Sequence, residues 1–318
     1  MNDLETRKKI LLEIFPDSIL KEDKKEIITW CNLKCAGLHH KRKLQINYEK
    51  NIYHCWVCGS SSFITKLLRE CASKSRRKRY LDTIDDLRHQ EEPEEFRLEP
   101  PPHTQFLLDA LDVPDAMRAY EWLREKTGVS DEDIFQHKIG FCNDGDYRSR
   151  LIFSSFSVDG HLNFFVTRSV WRTDTWKYLN CSGVKSKDVI YNEILVNWNK
   201  PIIIVEGIKT YLKHLAIENV VPILGSRFTK DYLLFKRSIL NDVPLVYVAL
   251  DDTAKAKSYE IMELYDSYEV EARLVDVSDV IQPDEFDTES FVGRLEAATK
   301  FSRKNSLEAQ IERVRRSL

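Results

Sequence analysis

The sequence predicts a multi-domain α/β protein, and three observations lead there. Residues 201–205 are a run of apolar β-formers that ends at Glu206-Gly207, which reads as a buried strand delivering a carboxylate to its tip. Residues 244–250 repeat the device and end at Asp251-Asp252, with helical, strand-like and helical stretches at 209–219, 220–224 and 228–240 between them. That β-α-β-α-β order implies a parallel sheet, with both acids at its carboxyl edge, where open α/β sheets bind ligands. Nearer the N-terminus, Cys31-x3-Cys35 and Cys55-x2-Cys58 mark a separate small module, set off by a charged, proline-containing stretch.

Composition bounds the rest. The chain has 318 residues, 42% hydrophobic and 11% aromatic, with a formal net charge of −3; this suffices for two or three cores. No apolar run approaches a membrane span, and residues 1–5 are acidic where a secretory leader would be basic and then apolar. The cytoplasm is the expected location. Charge is segregated along the chain: residues 74–79 are basic, 91–99 acidic and 300–316 basic. These shifts divide the sequence into a metal-binding module at 1–73, a linker at 74–102, a mixed α+β lobe at 103–198, a parallel-sheet domain at 199–288 and a basic helical tail at 289–318.

In order, residues 3–30 begin with an apolar helical patch, Ile10, Leu11, Leu12, Ile14 and Phe15. The two cysteine pairs then have the spacing of a zinc ribbon, because thiolates paired on two knuckles close a tetrahedral Zn²⁺ site. The first knuckle is one residue longer than usual, so His39, His40 or His54 could replace Cys31 or Cys35 as ligand. Between the knuckles, residues 41–47 and 51–56 alternate as two partnered strands. Lys41, Arg42 and Lys43 offer cations for phosphates, and Tyr53 and Trp56 offer rings that either stack on bases or pack around the metal. A helix from Ile64 follows. Pro93 and Pro100-Pro101-Pro102 then break the chain.

The lobe reads as helical from His103 to Lys126, with a turn at Gly128 and a helix capped by Ser130. Strands at 150–156 and 162–168 flank Asp159-Gly160, a strong hairpin signal. Beyond the second acid, helix is expected at 259–266, strand at 271–275, and helix at 284–300 and 306–316.

Three resemblances attach to these residues. Glu206-Gly207 with Asp251 resembles the TOPRIM domain shared by DnaG-type primases, type IA and II topoisomerases and OLD-type nucleases; Thr253 stands where the family has its second Asp, and Thr210 where it has the Asp four residues after the glutamate. The run His39–Asn47 followed by Tyr53–Gly59 resembles the zinc-binding domain of phage DNA primases. Residues 103–198 resemble the N-terminal half of a DnaG-type RNA polymerase core, with Arg150, Arg168, Lys177 and Asn180 at positions that line the template and nucleotide channel.

The resemblance implies an α/β, zinc-ribbon-plus-TOPRIM primase that joins ribonucleotides on single-stranded DNA during DNA replication. It implies Glu206, Asp251 and Asp252 as catalytic acids. Mg²⁺ or Mn²⁺ would be held by Glu206, Asp251 and a later acid, Asp279 or Asp284, and structural Zn²⁺ by Cys31, Cys35, Cys55 and Cys58. The implied partners are ribonucleoside triphosphates and, because no G-x-x-x-x-G-K-[ST] phosphate loop occurs in the sequence, a replicative helicase in trans. The rival reading is a zinc-dependent single-strand-binding or helicase-recruiting protein with a degenerate TOPRIM domain.

Overall fold

Period-two alternation builds the first sheet. In the computed structural model, which describes residues 3–31, 33, 42–84, 98–171, 176–225, 228–280, 282–306, 308 and 311, β3 (Leu44–Asn47) buries Leu44 and Ile46 and turns Gln45 and Asn47 outward. It pairs antiparallel with β2 (Glu26–Thr29) on one side and β4 (Ile52–Cys55) on the other, and β1 (Ile19–Lys21) and β5 (Ser61–Phe63) complete a five-stranded meander. Three helices belong with it: α1 (Asp3–Ile14), α2 (Ile64–Cys71) and α3 (Lys74–Leu81). Ile10, Leu11, Ile27, Ile46, Ile64, Leu67, Leu68 and Tyr80 are its buried apolar side chains.

The basic run 74–79 is therefore not linker, as the sequence suggests, but the first six residues of α3, exposed except at half-buried Arg77. The helix is capped by Ser73, whose hydroxyl accepts from Arg76 N at 3.4 Å, and it is anchored by buried Tyr80 and Leu81. Arg79 pairs with Glu13 at 3.0 Å, and Arg7 Nε donates to the Thr83 carbonyl at 3.1 Å. The chain forms two compact units, one comprising residues 1–89 with 236–241 and 267–269, the other the remainder.

In the second unit an antiparallel sheet runs in the order β10 (Tyr178–Asn180), β9 (Leu162–Ser169), β8 (Arg150–Phe156), β7 (Gly140–Cys142) and β6 (Thr104–Phe106). The expected hairpin turn is present, with Gly160 at φ 77° between β8 and β9. α4 (Pro114–Thr127) stops at Gly128, φ 74°, and α5 (Asp131–Gln136) starts from a Ser130–Asp133 capping box. Residues 104–106, which sequence periodicity puts in a helix, are strand β6; pairing with β7 overrides local preference.

The other sheet has the order β12 (Val220–Pro222), β11 (Ile202–Val205), β13 (Val246–Ala249), β14 (Ala272–Leu274) and β15 (Thr299–Lys300), the first four parallel and the last antiparallel. β11 is buried at every position, as a strand covered on both faces must be. The crossovers carry α6 (Ile208–Lys213), α7 (Leu233–Leu240), α8 (Lys255–Ser267) and α9 (Thr288–Glu296). The expected helix at 284–300 is thus a short turn, α9 and then an edge strand, so residues 289–300 belong to the sheet domain rather than to a tail. The helix expected at 306–316 falls largely outside the described residues. A single apolar cluster includes Phe141, Leu151, Phe153 and Phe164 of the antiparallel sheet and Ile203, Val205 and Ala249 of the parallel one.

Candidate functional site

Strand geometry assembles the thiol group. β2 leads into Cys31, β4 ends at Cys55, and a tight turn returns through Cys58, closed by Gly59 N to Cys55 O at 3.0 Å with Gly59 at φ 68°. The Sγ atoms of Cys31, Cys55 and Cys58 all lie within 4.8 Å of one another, with Cys31 and Cys58 at 3.9 Å. Tetrahedral zinc with bonds of about 2.3 Å requires sulfurs about 3.8 Å apart. Three buried or half-buried thiols at that spacing fit the ion.

Cys35, His39, His40 and Lys41 lie outside the described residues. His54 does not join the group: alternation along β4 sets it on the face opposite Cys55, where it meets the Trp56 ring edge-on at 4.5 Å. Cys71 is also separate, its thiol pushed up to about 11 by burial first and then by Glu70 and Cys31. Tyr53 is 2% exposed and packs inside the module, whereas Trp56 is 68% exposed with its indole N–H donating to Gln45 Oε1 at 2.8 Å. Nearby, Arg42 lies 5.3 Å over the Trp30 ring.

In the parallel sheet, Val205 pairs with Ala249, so Glu206 and Asp251 leave adjacent strands at the same carboxyl edge. Buried Asp284 reaches that neighbourhood from the turn at Pro283–Glu285. The grouping is felt by Asp251, whose carboxyl is pushed up to about 6, most by burial and then by Glu206 and Asp284, against the opposing pull of Lys257 and Lys209. Asp252 follows in the first turn of a short 3-10 segment, with exposed Thr253 beside it. Asp279 is not part of the group: it is exposed and pairs with Arg294. Of the two later candidates, Asp284 is the one brought to the edge.

Two cations that sequence reading passed over sit among these acids. Lys209, in the first turn of α6, pairs with Asp284. Lys257, in the first turn of α8, lies 3.8 Å from Glu206 Oε1 and donates to the Gly225 carbonyl at 2.9 Å. Burial pulls the Lys257 ammonium down in pKa while Glu206 and Asp251 pull it up. Lysines in first helical turns oppose the helix dipole, and that misfit was the available signal. Among the described residues only the thiols have ligand atoms all within 4.8 Å of one another; the carboxylates are more widely spaced. Their donor chemistry, hard oxygens at a strand edge, suits Mg²⁺ or Mn²⁺.

The basic lobe supplies a stack beside the acids. Arg168 and Tyr178 are direct cross-strand partners, and the guanidinium lies 4.4 Å from the Tyr178 ring and 4.8 Å from that of Trp122. Tyr178 is raised in pKa by burial first, and Asp284 and Asp251 are among the charges acting on it. Arg168 Nε is buried with no hydrogen-bond partner among the described residues. Arg150 is tied into the backbone. Its side chain is buried and donates to the Trp176 carbonyl at 2.7 Å and the Lys177 carbonyl at 3.3 Å, pinning the segment that presents exposed Lys177 and, beyond it, Asn180.

No family model matches the chain, and no curated protein matches it by sequence. Solved structures do match. The zinc-binding and RNA polymerase domains of the Aquifex aeolicus primase superpose with a TM-score of 0.51 at 17% identity, over 99% of this chain and 91% of that one. The fold is that of the DnaG-type primases. The DnaG catalytic domain solved bound to single-stranded DNA gives a TM-score of 0.52 at 22% identity, over 64% of this chain and 78% of that one. The RNA polymerase domain of Mycobacterium tuberculosis DnaG gives 0.51 at 14% identity, over 65% and 86%. At these identities the likeness is one of fold, and the DnaG-type architecture extends over the thiol-bearing module as well as both later sheets.

Proposed function

We propose that the protein is a DNA primase, a nucleotidyltransferase that makes short RNA primers on single-stranded DNA. The reading is carried by the convergence of Glu206, Asp251 and Asp284 at the carboxyl edge of a parallel sheet, beside the Arg168 stack, within a DnaG-type fold. In this reading the parallel sheet is a TOPRIM domain, and its acids hold Mg²⁺ or Mn²⁺. The bound ion would lower the pKa of the primer 3′-hydroxyl and neutralise charge on the triphosphate.

The protein's own residues do the rest. Asp251 and Glu206 present oxygens from rigid strand ends, so little reorganisation is needed as charge develops. Arg168, held close to the Trp122 and Tyr178 rings, and Lys177, presented by the segment that Arg150 pins, offer fixed cations to the phosphates of template and nucleotide. Exposed Trp56 gives the zinc module a ring for an unstacked base, and Asn180 a polar contact. Cys31, Cys55, Cys58 and, by sequence spacing, Cys35 hold structural Zn²⁺. We place the protein in the cytoplasm, that of a bacterial host if a bacteriophage encodes it, with a replicative helicase as its partner.

The test is synthesis of short RNA from ribonucleotides, a single-stranded template and Mg²⁺ or Mn²⁺. Glu206→Gln is expected to abolish it with an unchanged circular dichroism spectrum. Undiminished synthesis by that variant removes the catalytic assignment. A second reading is favoured by Thr253 and Thr210, hydroxyls where the resemblance expects carboxylates: a single-strand-binding or helicase-recruiting protein without catalysis. Wild-type protein that binds single-stranded DNA yet makes no RNA would establish it.

A further inference from the structure

The acid cluster is short of negative charge for a site that takes two divalent ions. Glu206, Asp251 and Asp284 supply three carboxylates; Asp252 is not among the charges that shift Asp251, and Thr210 and Thr253 add only hydroxyls. Two ammonium groups stand among the three: Lys209 on Asp284 and Lys257 near Glu206. With the acids ionised and both lysines charged, the group carries a formal charge of −1. One divalent cation brings it to +1, and two would bring it to +3 in a partly buried space, where like charges repel far more strongly than in water.

The anchoring of Lys257 is the informative detail. Its side chain is 14% exposed, and its Nζ donates to the Gly225 carbonyl at 2.9 Å, a neutral backbone group. An ion that takes the Glu206 oxygens therefore need not expel the ammonium, because the Gly225 carbonyl still holds it at the rim of the site.

We propose that this site binds a single divalent cation and that Lys257 supplies, as a fixed ammonium group, the positive charge a second ion would bring. Lys257 is then a positioning residue for anionic phosphate and a brake on cation loading. The proposal rests on reading the acids as metal ligands.

Mn²⁺ binding to the zinc-loaded full chain, followed by the electron paramagnetic resonance signal of the free ion, tests it without reference to activity. Wild type is expected to bind one Mn²⁺ per chain that Glu206→Gln does not bind. Lys257→Met is expected to bind Mn²⁺ about tenfold more tightly or to take up a second ion, and Lys257→Arg to behave as wild type. Should Lys257→Met fail to fold, Lys257→Gln replaces it. Two Glu206-dependent ions in wild type, or neutral variants unaltered in both count and affinity, overturn the proposal. If wild type and Glu206→Gln bind the same number of ions, it is the reading of the acids as ligands that falls.

Discussion

Among the described carboxyls, Asp251 is the one that burial and like charge push up furthest, and the cost has a definite pH window. Its carboxyl titrates near 6 in the fold against an ordinary 3.8. An acid whose pKa is raised by folding costs nothing below about pH 3, where both states are protonated; the cost grows as the unfolded chain ionises and is complete above pH 6. Asp251→Asn should therefore stabilise the Mg²⁺-free protein at pH 7 by about 1 kcal/mol, a value discounted for solvent screening, and confer almost nothing at pH 3. Urea titrations at the two pH values check this; an equal gain at both would refute the cause given. The acids were legible in the sequence because strand tips are marked by an apolar run, a charge and a break. Lys209, Lys257 and Trp122 were not: a lysine in a first helical turn hints at a partner, but only the tertiary fold sets that partner opposite it. Arg150 shows the converse: its place in the sequence pattern suggested nucleic acid, while its guanidinium is engaged with two carbonyls.

Elements were readable where one period dominates. β11 and β13 are continuous apolar runs and β3 a clean alternation, and all three formed as the pattern requires. Short edge strands escaped, since β6 and β15 are defined by their partners rather than by composition. The β6–β7 seam gives a sharp test. A Cβ added at Gly140 would lie 2.8 Å from Thr104 Cγ2 and 3.0 Å from the Gln105 carbonyl oxygen, so β6 must move to admit it. Gly140→Ala should cost about 1–3 kcal/mol, in the range of overpacked sites, and should raise amide exchange in residues 104–106 selectively. Wild-type stability would show that the seam yields freely.

At the scale of the whole molecule, each unit has its own apolar core. A module as small as the first rarely holds itself together without a staple, and metal binding there contributes directly to folding. Zinc removal by a chelator is expected to abolish hydrogen-exchange protection in β2 to β5 while β11 and β13 keep theirs; unchanged protection in the first sheet would show the thiols to be dispensable. The charged stretch read as a linker, where residues 85–97 fall outside the described set, follows from composition alone; what composition could not reveal is that α3 belongs to the module before it. The parallel sheet carries one more implication, through its last strand. β15 covers the outer edge of β14 only after α9 has been made, so on the ribosome that edge is bare while every acid of the site has already emerged. Uncovered edges recruit strands from other copies. A polypeptide ending before Thr299 would hold all the acids of the site and still aggregate, which makes solubility the property that β15 secures.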